Sequence, residues 1–179
     1  MRKIIVSNLA SLDGFFESTD GKLDWCVTDD EFFAYAKELL NAADTLLFGA
    51  ATYEHMAAYW PTAPADAIEE KMNGLQKVVF SKVLQKVEWN NSRLAAGDIE
   101  EEVRVLKKQP GKDIVIFGST KLASFLLKLG LIDEYRVIVQ PVLLGKGRPL
   151  FADVTTTMPL KLNSARTFGS GVVLLSYRR

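Results

Sequence analysis

Two aspartates and two glycine corners are where this chain of 179 residues could do chemistry. Asp13 stands in "SLDGFF", between Leu12 and Gly14 and ahead of two phenylalanines, so its carboxyl is carried toward apolar company. If that company buries it, desolvation raises its pKa and leaves it protonated near neutral pH, a proton donor. The same residues also spell an ordinary Asp-Gly turn after a strand. Asp29 opens a helical pattern, where a carboxylate complements the helix dipole. "TLLFGAATYE" (45–54) and "DIVIFGSTKLASFLL" (113–127) each stop an apolar run at a glycine, Gly49 or Gly118, and begin a helical pattern near Thr52 or Ser119. Such a corner aims unpaired backbone N–H groups at one point, which suits an anion, and two of them could grip a diphosphate from both sides. Tight strand-to-helix turns in general also use Gly and Ser for conformational freedom and capping. Neither corner holds the G-x-G-x-x-G fingerprint or a P-loop. Cys26 is the only cysteine and His55 the only histidine, so no internal disulfide or Cys/His zinc site can form, and no metal is expected. Cys26 reads as a small buried apolar residue, and Glu54 and His55 as solvent-facing.

Those corners need strands and helices to hold them. "KIIVSNL" near the N-terminus is β-branched and apolar, the pattern of an inner strand. "TLLF", "KVVF" and "DIVIF" are further short buried-type strands, separated by segments of helical patterning. "TDDEFFAYAKELLNAA" has a capping-box pattern, Thr28 with Glu31, and sets Phe32, Ala36, Leu39, Leu40 and Ala43 on one stripe. "STKLASFLLKLG" repeats the theme with Leu122, Phe125, Leu126 and Leu129 and a stop at Gly130. From "LIDEYRVIVQPVLLG" onward the runs turn β-rich, with glycine turns at Gly145, Gly147 and "GSG", and the end reads as antiparallel. The alternation predicts an α/β fold with a mainly parallel sheet. "PTAPADA" and "KKQPGKD" read as loops inside one domain spanning 1–179.

Composition narrows the partners. The 22 basic side chains balance the 22 acidic ones, so no net field recruits nucleic acid or an anionic membrane. No stretch reaches the roughly 20 apolar residues of a membrane span, and polar residues interrupt the N-terminal run before a signal-peptide core forms. The expectation is a soluble cytoplasmic protein acting on a small molecule.

"SLDGFF", "GAATYE", "VFSK", "IFGSTKLASFLL", "GLIDEYRVIVQPVLLGKGRPLF" and "ARTFGSGVVLLSYRR" together resemble the dihydrofolate-reductase-like proteins of the riboflavin-biosynthesis reductase type, RibD C-terminal domain, in the family's order from Lys3 to Arg178. The resemblance implies a three-layer α/β/α fold: a central sheet of about eight strands, mostly parallel, closed by an antiparallel C-terminal hairpin. It implies bound NADPH and a homodimer, with the C-terminal antiparallel strands as a reasonable interface. Residues matching Gly49, Ala51 and Thr52, with Phe117, Gly118, Ser119 and Thr120, would line the pyrophosphate, and Tyr53 would stand close to the cofactor. Leu9 and Ala10 would offer backbone groups to the nicotinamide carboxamide beneath the Asp13 loop. Ser81 and Lys82 of "VFSK" would meet a 2′-phosphate, or form a solvated turn. The family commonly has a basic residue where this chain has Ala50, and many relatives have the first of two glycines where it has Phe117.

The spacing of Asp29 and Phe33 is similar to the acid and aromatic that hold the pteridine in the folate enzymes, although each also reads as a dipole partner and a core residue. Trp25 could stack on a flat heterocycle or close the core edge. The riboflavin enzymes often carry a separate deaminase domain with H-x-E and C-x-x-C zinc motifs, for which one His and one Cys leave no room. The resemblance therefore implies an NADPH-dependent reductase delivering hydride to a small flat or phosphorylated metabolite. A non-catalytic, dinucleotide-binding or ligand-sensing homodimer is the alternative.

Overall fold

The computed structural model describes all 179 residues. Ten strands and five α-helices follow one another along the chain: β1 Ile4–Ser11, β2 Phe15–Glu17, α1 Asp30–Ala42, β3 Ala43–Gly49, α2 Ala50–Tyr59, α3 Ala67–Gly74, β4 Gln76–Phe80, β5 Ser92–Leu94, α4 Ile99–Lys108, β6 Asp113–Phe117, α5 Thr120–Lys128, β7 Glu134–Gln140, β8 Arg148–Pro149, β9 Lys161–Thr167 and β10 Val173–Arg178. Eight strands form one sheet in the order β5-β4-β3-β6-β1-β7-β10-β9, and β2 pairs separately with β8. The pairs from β5 through β7 are parallel. β10 runs antiparallel to both β7 and β9. The expected α/β/α sheet with an antiparallel C-terminal hairpin is what the chain forms.

Strand alternation builds the two cores. In β1, Ile4 and Val6 face one layer and Ile5 the other; in β6, Ile114 and Ile116 oppose Val115 in the same way. The first layer is closed by Val103 and Leu106 of α4 and Leu122, Ala123, Leu126 and Leu127 of α5. The second is closed by Tyr35, Leu39 and Leu40 of α1, Tyr53 of α2, and Ile68 and Met72 of α3. Burial on both faces is why these strands read as continuous apolar runs rather than alternating ones.

Two local expectations shift. The N-cap of α1 is Asp29, not Thr28: its carboxylate accepts the Phe32 N–H at 2.8 Å, and Glu31 reaches away to the Gly169 N–H. Phe125 lies on the exposed side of α5, outside the core that Leu122 and Leu126 enter. No helix is long and apolar enough to cross a membrane.

Candidate functional site

β3, β6 and β1 end side by side in mid-sheet, and over their C-terminal ends opens a cavity of about 940 Å³, lined mostly by apolar side chains. In open α/β sheets this is where ligands settle. Its base is the pair of glycine corners, and they are tied to one another. The Gly49 N–H donates to Ser119 Oγ at 2.9 Å, and the Ser119 N–H donates to Thr52 Oγ1 at 3.0 Å. Gly118 and Ser119 are both left-handed, with φ of 57° and 44°, so β6 turns into α5 within two residues. A Cβ on Gly118 would sit 3.3 Å from Thr52 Cγ2 and 3.4 Å from Phe16 Cζ, a tight fit, and the left-handed backbone angle is what calls for glycine there. Two amides are used by the link. The first-turn amides of α2 and α5 have no intrahelical acceptor and, with both helix dipoles, make this base electropositive.

The roof is the β2–β8 ribbon, and Asp13 pins it. The Asp13 carboxylate accepts the Ser11 hydroxyl at 2.6 Å, the Leu144 N–H at 3.1 Å and the Gly145 N–H at 2.7 Å. Backbone bonds from Leu12 to Val142 and from Leu150 to Gly14 complete the seam. Asp13 is exposed, and the Ser11 hydroxyl, with the Gly145 and Leu144 amides, outweighs the opposing desolvation and holds its carboxyl below the ordinary value. The expectation of a buried, protonated donor is therefore corrected: this carboxylate is ionised, does not line the cavity, and fastens two loops. Phe16 turns inward from the ribbon, and Glu17 and Arg148 face each other across it at 3.6 Å, both on the cavity.

The other expected site residues divide. Leu9, Phe33, Gly49, Ala51, Thr52, Phe117, Gly118, Ser119 and Thr120 all line this one cavity, together with Ala50. Asp29 does not; the Ser170 hydroxyl and the Phe32 N–H hold its carboxyl below the usual range, as suits a helix cap. Trp25 is also off the cavity wall, its indole N–H donating to the Lys22 carbonyl. Ala10 is buried and off the wall. The Tyr53 hydroxyl points the other way and accepts the Glu88 and Trp89 N–H groups at 3.1 and 3.0 Å, so Tyr53 serves the fold. Ser81 Oγ accepts the Val83 and Leu84 N–H groups, and neither Ser81 nor Lys82 reaches the cavity. Cys26 is half-buried, and burial, then Asp24, pushes its thiol up to about 12, which leaves it unreactive.

Sequence reasoning missed Asn8, Phe16, Glu17, Lys121 and Arg148; His55 is exposed as expected and also stands on the cavity rim. Ser7 and Asn8 left a signal, two polar residues inside an apolar strand. The Ser7 hydroxyl meets the buried Tyr35 hydroxyl at 2.9 Å on the wall, with the Arg136 guanidinium 6.0 Å from the Tyr35 ring. Burial raises the Tyr35 pKa against the Ser7 bond, so this pair is neutral. Glu17 and Arg148 left no signal, because only the pairing of β2 with β8, residues far apart in sequence, brings them together.

The chain is 37% identical over 180 residues to the uncharacterized protein YyaP of Bacillus subtilis, covering 98% of this chain and 94% of that protein. A crystal structure from Shewanella sp. PV-4, named for riboflavin biosynthesis, superposes with a TM-score of 0.78 at 22% identity, covering 99% of this chain and 98% of the other. The diaminohydroxyphosphoribosylaminopyrimidine deaminase/5-amino-6-(5-phosphoribosylamino)uracil reductase of Thermotoga maritima superposes with a TM-score of 0.72 at 17% identity over 99% of this chain and 56% of its own. At such identities the structural likeness is one of fold. Residues 2–174 match the RibD C-terminal domain family, and the chain belongs to that family.

Proposed function

We propose that this protein is an NADPH-dependent reductase that passes a hydride to a small flat or phosphorylated metabolite, such as a pyrimidine ribose phosphate or a pterin. The observation that carries the reading is the direct bond between the two helix-start corners at the base of one large apolar cavity. A diphosphate needs such a base: two sets of backbone amides, dipoles aimed at one place, and a glycine that keeps side chains out. Thr120 Oγ1, buried and without a hydrogen-bond partner on this wall, is a further polar atom awaiting a ligand. Gly49, Ala51, Thr52 and Gly118 to Thr120 would hold the cofactor, which when bound supplies the hydride. The chain's own part is to orient the acceptor between Phe16, Phe33 and Leu9, and to exclude water from an apolar site. The reductase half of the Thermotoga protein's name accords with this reading.

A second reading, a dinucleotide-binding or ligand-sensing homodimer without turnover, draws support from the carboxylates. Neither Asp13 nor Asp29 lines the cavity, and Glu17, the one carboxylate that does, faces Arg148. Pairing of two copies would use the C-terminal edge, where every residue of β9 is exposed. Titration of tryptophan fluorescence with NADPH and with NADH tests both readings, and binding of neither removes both. Given binding, NADPH oxidation with pyrimidine ribose phosphates, pterins and small carbonyl compounds separates reductase from sensor. Both cofactors belong in the titration because Ala50 carries no charge and Lys82 lies off the wall.

A further inference from the structure

One side chain of β1 has no account within the fold. Asn8 is 5% exposed, its Oδ1 has no hydrogen-bond partner, and it lines the cavity. Alternation places Asn8 on the same face as Ile4 and Val6, toward the layer that α5 covers. The last β1–β6 pair is Ser7 with Phe117, so Asn8 lies one step beyond, level with Gly118 and the turn into α5. A leucine would fill an apolar wall there at less cost, because a buried acceptor without a donor forfeits the hydrogen bond it made in water. Polar groups kept at such a cost mark places where function overrides stability.

Strand order shows which part of a ligand Asn8 would meet. The corners that would grip the diphosphate end β3 and β6, and the sheet continues to β4 on one side and to β1 on the other. A dinucleotide seated there extends one half over β4 and the other over β1. The β1 half meets Phe16 and, round the end of β1 on the strand's other face, Ser7 and Leu9, which line the same cavity.

We infer that Asn8 is a specificity-determining residue whose Oδ1 accepts a hydrogen bond from the nicotinamide half of the cofactor, either from the carboxamide N–H or from the adjoining ribose hydroxyl. The inference rests on the reductase reading and adds a contact to it. It also explains why the amide is unpaired: its partner arrives with the ligand.

The test uses the full chain, Asn8→Leu, and three probes read by tryptophan fluorescence. NADPH carries both donors, 2′-phospho-ADP-ribose carries the ribose without the carboxamide, and 2′,5′-ADP carries neither. Asn8→Leu is expected to weaken NADPH at least tenfold and to leave 2′,5′-ADP unchanged. If 2′-phospho-ADP-ribose is also weakened, the ribose hydroxyl is the donor; if not, the carboxamide is. The thermal midpoint of ligand-free Asn8→Leu should equal or exceed that of the wild type, because an unpaired acceptor has been removed. Asn8→Ala, smaller and free of overpacking, should show the same pattern across the probes if the leucine variant does not fold. Unchanged NADPH affinity, or equal loss of 2′,5′-ADP, overturns the inference alone. Failure of the wild type to bind NADPH or NADH overturns the reductase reading itself.

Discussion

Replacing Ser119 by alanine takes away the hydroxyl that accepts the Gly49 N–H at 2.9 Å and leaves that amide without a partner in a partly buried corner. A lost acceptor of this kind costs about 1–2 kcal/mol. The alanine keeps a Cβ at φ of 44°, so the left-handed backbone cost of about 1–2 kcal/mol stays. Ser119→Gly loses the same hydrogen bond but relieves most of that backbone cost, at an entropic charge of about 0.5–1 kcal/mol. Ser119→Gly should therefore be the more stable of the two by up to about 1 kcal/mol, and both should lie below the wild type. Urea unfolding at constant m-value measures this, and each kcal/mol corresponds to roughly 2–4 °C in thermal midpoint for a chain of this size. Thr52→Val removes the reciprocal link to the Ser119 N–H, so the double variant should depart from additivity by about 0.5 kcal/mol or more. An alanine variant as stable as the wild type would refute the claim that this link holds the corners together. A glycine variant less stable than alanine would refute the backbone argument.

Tyr53→Phe should cost about 1–3 kcal/mol by orphaning the Glu88 and Trp89 amides, while leaving NADPH affinity unaltered; weakened binding would return Tyr53 to the ligand site. Asp13→Asn should loosen the roof, read as faster hydrogen exchange at the Leu144 and Gly145 amides with NADPH affinity falling severalfold. Because the folded carboxyl titrates below its ordinary 3.8, the wild-type seam is complete above that pH and is lost as pH falls through the lower folded value; loss already at pH 5 would contradict this. Lys77 is fully buried, donates to the carbonyls of Asn73, Leu75 and Asn90, and lies over the Trp89 ring, with burial lowering its pKa to about 8. Lys77→Met should cost on the order of 2 kcal/mol at neutral pH through the unpaired carbonyls. Between pH 8 and 10.5 the unfolded chain holds the Lys77 proton and the folded one releases it, so the wild type's advantage should grow with pH, and denaturant unfolding at pH 7.5 and 9.5 would show whether it does.

What local pattern carries, a single sequence reveals. Ile4 to Val6, Leu46 to Phe48, Val78 to Phe80 and Ile114 to Ile116 each fill both cores, so their apolar runs mark the inner strands in the sequence itself. Gly49 and Gly118 were legible for the same reason: a strand that must become a helix within two residues needs backbone freedom there. The α1 cap slipped by one residue because Thr28 and Asp29 both offer an oxygen, and the register of the buried stripe, not the cap, decides which is used. Asp13 could not be read correctly from its neighbours, because the amides that keep it ionised lie 131 and 132 residues away, and apolar company in sequence is not burial in space. The resemblance places Tyr53 and Ser81 toward the ligand, yet one turn of helix or loop points a side chain away from its neighbour's target, and both hydroxyls accept backbone N–H groups elsewhere. Periodicity within ten or so residues, fixed by the geometry of helix and strand, was in the chain itself. The facing of Glu17 and Arg148, the bond between two corners 70 residues apart, and the unpaired amide of Asn8 exist only once distant segments share one space, because hydrogen bonds and burial depend on distance in the fold and not along the chain.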